Sequence, residues 1–308
     1  MDSPSKGKLR DIHRLPAAWN GLLHLIAGGF AFVCVFPFVF VVILSFTEEN
    51  SLLVNGYRIF PEEWSLFAYS YIFRTGDQLL KSYGVTVFVT IVGTALTVLL
   101  TTLYAYSLSR KNFKFRGFFA FFAFFTMLFG GGLVPSYIVV AQLLELKDTV
   151  WALILPMTMS AFNILVLRTF FLTMIPDAII ESGKIDGASE FRALLSLVLP
   201  ISLPGIATIA LFSTLAYWND WFNALLYIDS NKLVPLQALM MRLYNTMQFL
   251  IQNSTLLNSG QSRELIRSLP QETARMAMVV LATGPIVFAY PFFQRYFVQG
   301  LTIGSIKE

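Results

Sequence analysis

Polar and apolar positions in this chain alternate on a long scale. Apolar runs of roughly helix-spanning length are separated by short polar breaks, and they fall at 21–46, 82–108, 118–143, 150–167, 197–228 and 276–294. A helix needs about 20 residues to cross the hydrocarbon core. The pattern therefore predicts an all-α polytopic membrane protein with six transmembrane helices. The run at 150–167 is the shortest. The run at 197–228 is the longest and opens on Pro200 and Pro204, which predicts bent or interfacial first turns. Gly130, Gly131 and Gly132, followed by Pro135, lie near the middle of the third run. Two readings stand there. Either a broken helix exposes backbone polar groups to a water-filled cavity, or a kink lets neighbouring helices approach.

Composition agrees with the pattern. The chain has 308 residues, 56% hydrophobic and 13% charged, with 30 Phe. A soluble chain carries about a quarter charged residues. The net charge of +4 is modest and calls for no nucleic-acid partner. The lone cysteine, Cys34, lies in an apolar run and is read as a small buried hydrophobe. His13 and His24 form no metal-ligand cluster. The basic N-terminus precedes an apolar run too long for a signal-peptide core, so it is read as a retained first span.

Basic residues set the orientation. The short loop "SRKNFKFRG" (109–117) carries Arg110, Lys111, Lys114 and Arg116 and no acid. Short basic loops stay in the cytoplasm. The same side receives Lys6, Lys8, Arg10 and Arg14, then Arg168, Lys184 and Arg192, and finally Arg295 and Lys307. Both termini and the segment 176–200 are thus expected inside, with the loops 47–81 and 229–275 outside. Within 229–275, "LVPLQALMMRLYNTMQFLIQ" has helical apolar spacing. It would pack either on a partner beyond the membrane surface or as a cap over neighbouring helices. Only Asp220 places a charge inside a span, which disfavours a carrier built on titrating carboxylates.

The polar interruption "ESGKIDGASEFRALLSLVLP" (181–200) carries the candidate chemistry. Pro176 ends the fourth helix, and Asp177 is placed to cap the next helix or favour its N-terminus. Ala178, Ile179, Ile180, Ile185 and Ala188 give an apolar side; Glu181, Lys184 and Glu190 give a polar one. Gly183 and Gly187 permit a turn or close backbone approach. Residues 168–196 hold three basic and four acidic groups, too few cations for a lipid-facing helix, which favours docking on protein. No P-loop is present: a phosphate loop ending at Gly183-Lys184 would need Gly at 178 and Ser or Thr at 185, where Ala178 and Ile185 stand. The chain is read as a non-enzyme that takes its work from a partner.

Glu181, then "DGA" (Asp186, Gly187, Ala188), then Pro200 resembles the EAA loop of ABC-importer permeases, with Ser182 and Gly183 where two alanines are usual. "LAYWNDWFNALLYI" (215–228) resembles a Trp-Asn-acid-aromatic segment of sugar-importer permeases, and "FVQGLTIGSIKE" (297–308) is similar to the tail of the maltose-importer G-type permease. "GGGLVPSYIVV" (130–140) is similar to a subgroup for polysaccharide-derived oligosaccharides, including uronic-acid-containing ones. The resemblance runs from residue 21 to residue 308.

It implies a cytoplasmic N-terminal segment 1–20, a permease domain 21–298 and a cytoplasmic tail 299–308. Glu181, Ser182, Gly183, Asp186, Gly187 and Ala188 would form the ATPase-coupling surface, and Gly304, Ser305, Ile306 and Lys307 a second ATPase contact. Gly131, Gly132, Tyr137, Asn163, Trp218, Asn219, Asp220 and Trp221 are candidates for the pathway or a gate. Asp220 lies 20 residues beyond Pro200, about 30 Å along a helix. With Tyr217, Trp218 and Trp221 it suits an outer aromatic belt or gate more than direct sugar binding. The resemblance also implies a homologous second permease, two ATPase subunits that bind ATP and Mg, an extracytoplasmic solute-binding protein and an oligosaccharide cargo. A self-sufficient secondary sugar transporter and a non-transporting membrane scaffold or sensor are the alternatives.

Overall fold

The apolar runs at 21–46 and 82–108 become the two longest helices. The computed structural model describes residues 17–74, 76–252, 270–289 and 291–294; these are mostly helical and contain no sheet. One isolated antiparallel bridge joins Thr47 and Trp64. Helix α1 (Ala17–Ser45) is followed by short helices α2 (Glu49–Asn55) and α3 (Phe67–Phe73), then by α4 (Asp77–Ser109) with 33 residues. Beyond α4 lie α5 (Arg116–Leu128), α6 (Leu133–Tyr137) with a π-helical extension over Ile138–Leu143, α7 (Val150–Ile154) and α8 (Ala161–Met174). Next come α9 (Asp177–Ile185), α10 (Glu190–Ala193), α11 (Leu199–Ile201), α12 (Leu203–Trp218) and α13 (Phe222–Tyr227). Helices α14 (Leu236–Gln252) and α15 (Gln271–Val287) complete the described fold.

Three stretches are long and apolar enough to cross a membrane: Ala18–Ser45, Asp77–Ser109 and Gln271–Gln294. The other three expected spans are bent pairs. Arg116–Leu128 meets Leu133–Leu143 at 116°, Val150–Met157 meets Ala161–Met174 at 49°, and Glu190–Ile201 meets Leu203–Trp218 at 83°. A break or kink in the third run and a bent opening of the fifth agree with the sequence readings; the bend in the fourth was not read from sequence. Gly130–Gly132 interrupt the first pair, Pro156 precedes the break in the second, and Pro204 at the start of α12 supplies no N–H to continue the third. The bent opening read from Pro200 and Pro204 is the observed one.

Helix α4 is the axis of the packing. Its Thr86, Thr90, Thr97 and Thr101 are buried, spaced three or four residues apart on one face together with Gly93. Small and hydroxyl side chains let helices approach in membranes. At Gly93 a Cβ would fall 2.6–2.7 Å from the Tyr217 ring, so α12 crosses α4 against bare backbone. Tyr217 then donates to the Ile154 carbonyl at 3.0 Å and meets Thr97 at 3.2 Å. One apolar core surrounds this crossing, with Ile72, Leu79, Leu153, Trp218, Leu236 and Met278. A second lies at the other end of α4, with Tyr106, Leu167, Phe171, Ile180, Leu194 and Ile209.

The amphipathic run at 233–252 forms α14 as its spacing predicts, and it folds back on its own chain: the Leu236 N–H donates to Thr86 Oγ1 at 2.7 Å. Glu49 caps α15, accepting from the N–H of Glu272 and of Thr273, each at 3.0 Å. Cys34 is exposed on α1 rather than buried, because the α1 surface as a whole has few neighbours in this chain.

Candidate functional site

The interruption at 176–200 folds as two short helices with a designed stop and start between them. Helix α9 begins after Pro176, whose φ of −60° suits the entry and whose missing N–H costs nothing there. Asp177 makes no cap hydrogen bond. It sits in the first turn, where a negative charge is favoured, and pairs with Lys111, with Arg110 at 3.8 Å. The Lys111 hydrogen bond, reinforced by both positive charges, holds the Asp177 carboxyl below the usual carboxylate range.

The helix ends in a Schellman motif. Ala188 N–H donates to the Gly183 carbonyl at 2.9 Å and Gly187 N–H to the Lys184 carbonyl at 3.0 Å, with Asp186 as C-cap. The motif needs a left-handed residue after the cap, and Gly187 supplies it at φ +82°. Ser189 then caps α10, accepting from the Arg192 N–H at 3.3 Å. "DGAS" is therefore a helix stop followed at once by a helix start.

Gly183 serves a different end. It is buried, and a Cβ there would meet Leu197 Cδ1 at 2.6 Å. With Ile180 buried in the second core, this fixes the inner face of α9 against the π-helical turn Leu194–Val198. Glu181, Ser182, Asp186 and Gly187 remain exposed, as does Ile185, 87% accessible. The coupling residues read from sequence thus divide. Glu181, Ser182, Asp186, Gly187 and the half-buried Ala188 bound an outward face, while Gly183 faces in.

Among the described residues neither Glu181 nor Asp186 makes a side-chain hydrogen bond or ion pair that would order the segment. That work falls to Asp177 and Glu190. Glu190 pairs with Lys184 and accepts from the Tyr106 hydroxyl at 3.0 Å. Arg110 lies over the Tyr106 ring at 5.3 Å. Tyr106, Ser107, Arg110, Asn112, Phe113 and Glu190 line a cavity of about 270 Å³ beside the segment. Sequence reasoning passed over Tyr106, and Glu190 served only as polar surface. The available signal was the spacing of Tyr106 and Arg110, four residues apart at the C-terminal end of α4.

The candidate pathway residues lie in separate neighbourhoods. Gly131 and Gly132 sit in the break before α6. Tyr137 stacks on Tyr227 with ring centroids 5.9 Å apart. Asn163 is buried in the first turn of α8. Trp218 is buried and donates to the Ala282 carbonyl at 2.8 Å; with Tyr217 also buried, an aromatic belt is corrected to a packed joint between α4, α12 and α15. Asp220 turns its carboxylate onto the Asn223 backbone N–H, at 3.2 Å, and side-chain amide, at 3.0 Å, so it caps α13. Asn219 accepts from Gln237 at 3.4 Å. Trp221 opens on a cavity of about 300 Å³ shared with Gln237, Tyr244 and Arg275. Gly304, Ser305, Ile306 and Lys307 lie outside the described residues.

Comparison with known proteins places this geometry. The chain is 40% identical over 278 residues to the polygalacturonan/rhamnogalacturonan transport system permease protein YtcP of Bacillus subtilis, covering 90% of this chain and 94% of that one. It is 28% identical to the arabinooligosaccharides transport system permease protein AraQ of Halalkalibacterium halodurans, covering 90% and 92%. Its structure is similar to that of a bacterial ABC transporter involved in the import of the acidic polysaccharide alginate, with a TM-score of 0.73 and 25% identity over 91% of this chain and 96% of that chain. Residues 109–303, which include the whole α9–α10 segment, match the binding-protein-dependent transport system inner membrane component family, so the chain belongs to that family of ABC-importer permeases.

Proposed function

We propose that this chain is the transmembrane permease of an ATP-driven oligosaccharide importer, with a cargo class that includes uronic-acid-containing sugars. The observation that carries the reading is the α9–α10 segment: an amphipathic helix of nine residues with one buried face and one exposed face, stopped at Gly187. The similarity to permeases named for polygalacturonan/rhamnogalacturonan and arabinooligosaccharides, and to an alginate importer, supports the cargo class.

In this reading the three long stretches and three bent pairs make six spans, with both termini inside. The domains are 1–20, 21–298 with the coupling loop 176–200 and the outer loop 229–275, and the tail 299–308. Glu181, Ser182, Asp186, Gly187 and Ala188 dock on an ATPase subunit, with Gly183 fixing the helix behind them. The complex holds a homologous second permease and two ATPase subunits, which carry ATP and Mg, and receives cargo from a solute-binding protein.

The test is uptake by the reconstituted complex. Vesicles containing both permeases, the ATPase and the binding protein are expected to accumulate oligogalacturonides only with ATP. ATP-independent uptake by the purified chain alone would replace this reading with a secondary carrier. No carbohydrate uptake by the complete complex would sink the cargo assignment.

A further inference from the structure

The chain itself connects α9–α10 to α8 and, through α10 and α11, to α12. The first route meets a 49° bend beyond α8, between α8 and α7, and the second bends by 83° between Ile201 and Leu203. Helix α4 has no covalent link to the segment, and yet it is tied to it at two places. At the start of α9, Asp177 meets Arg110 and Lys111, just beyond the α4 C-terminus. At the start of α10, the Glu190 carboxylate accepts from Tyr106 at 3.0 Å while Lys184 of α9 holds the same carboxylate. One attachment leaves a body free to pivot; a second, at Glu190 as well as at Asp177, restricts its tilt too.

Helix α4 runs unbroken for 33 residues, about 50 Å. At its far end it is tied again. Gln78 donates to the Asn231 carbonyl at 2.7 Å, Tyr83 to the Leu281 carbonyl at 2.7 Å, and Thr86 receives the first N–H of α14. A packed helix between two bonded ends moves as a rigid element, whereas a bent pair absorbs displacement at its break.

We propose that Tyr106 and Glu190 are positioning residues that pass displacement of the α9–α10 segment to α4, and that α4 delivers it to α14 at the opposite end. This rests on the reading of 176–200 as the ATPase-facing segment. The two residues act by making α4 follow the segment.

The experiment uses the assembled complex in lipid nanodiscs and vesicles, in a Cys34→Ser background with an environment-sensitive fluorophore at Asn245→Cys on the exposed side of α14. The parent complex is expected to show an ATP-dependent emission change together with ATP-driven uptake. Tyr106→Phe, which removes the donor, and Glu190→Leu, which removes the acceptor, are expected to abolish the emission change and lower oligogalacturonide moved per ATP hydrolysed about tenfold, with ATPase co-purification unchanged. Tyr104→Phe, on the same helix but bonded to the Phe119 carbonyl, is expected to match the parent. An unchanged emission response and unchanged sugar per ATP in both variants would overturn the proposal. So would loss of ATPase co-purification in both, because that assigns the pair to docking. A parent complex without ATP-driven uptake would instead bring down the reading on which the proposal rests.

Discussion

Two glycines four residues apart in α9 and its cap carry different constraints, and substitutions tell them apart. At Gly187 nothing lies within 4 Å of the position a Cβ would take, so the constraint is the φ of +82° alone. A left-handed conformation costs an ordinary L-residue about 1–2 kcal/mol, and asparagine less. Gly187→Asn is expected to retain most coupling in the assembled complex, and Gly187→Leu to lose it while inserting normally. Sugar-stimulated ATP hydrolysis measures both. At Gly183 the constraint is Leu197, and Gly183→Ala is expected to cost about 1–3 kcal/mol, read as a lower melting temperature of the purified chain. Asp177 adds a pH dependence. Its carboxyl is held below the ordinary range by Lys111, so its contribution is present at neutral pH and lost as pH falls through the depressed value, below about pH 4. Protease cleavage within 109–117 is expected to quicken from pH 7 to pH 3, and Asp177→Asn is expected to flatten that dependence. The stop at Gly187 was legible because glycine after a short amphipathic run has few other uses. The bridge from Glu190 to Tyr106 was not, since 84 residues separate the partners and no local period joins them.

At the scale of elements, sequence showed where helices break better than what they pack against. Pro204 and the glycines at 130–132 marked two of the three bends, because each removes a donor or loosens the backbone in its own place. The amphipathic spacing of 233–252 likewise gave α14. Burial of Tyr217 and Trp218 could not be read this way. An aromatic at the end of an apolar run suits a membrane interface equally well, and only the bare backbone at Gly93 opens a slot for the Tyr217 ring. That slot yields a paired test. Gly93→Ala is expected to displace Tyr217 from its bond to Ile154 and destabilise the chain by about 1–3 kcal/mol. Gly84→Ala, in the same helix with nothing within 4 Å, is expected to be near neutral in thermal melts.

For the whole molecule, charge distribution is the feature that survives from sequence to structure most directly. The basic loop at 109–117 and the segment 176–200 were assigned to one side from the distribution of basic residues, and Lys111, Arg110 and Asp177 meet there. Orientation then has a simple check. With single cysteines in a Cys34→Ser background, an impermeant thiol reagent on intact cells is expected to label position 245 and to spare positions 111 and 184. The bend at Gly130–Gly132 constrains how the chain is embedded. Among the described residues these three glycines donate no backbone hydrogen bond, and their surroundings are open. An unpaired N–H against acyl chains costs several kcal/mol, so this stretch of an otherwise lipid-facing pair must meet water or protein in the membrane. Amide deuteration reports which. In lipid nanodiscs, glycine amides at 130–132 are expected to exchange within seconds while those of α4 at 94–104 persist for hours. Persistence of that fast exchange in the assembled importer would mark a hydrated route beside the bend, and its loss would mark the seat of the second permease.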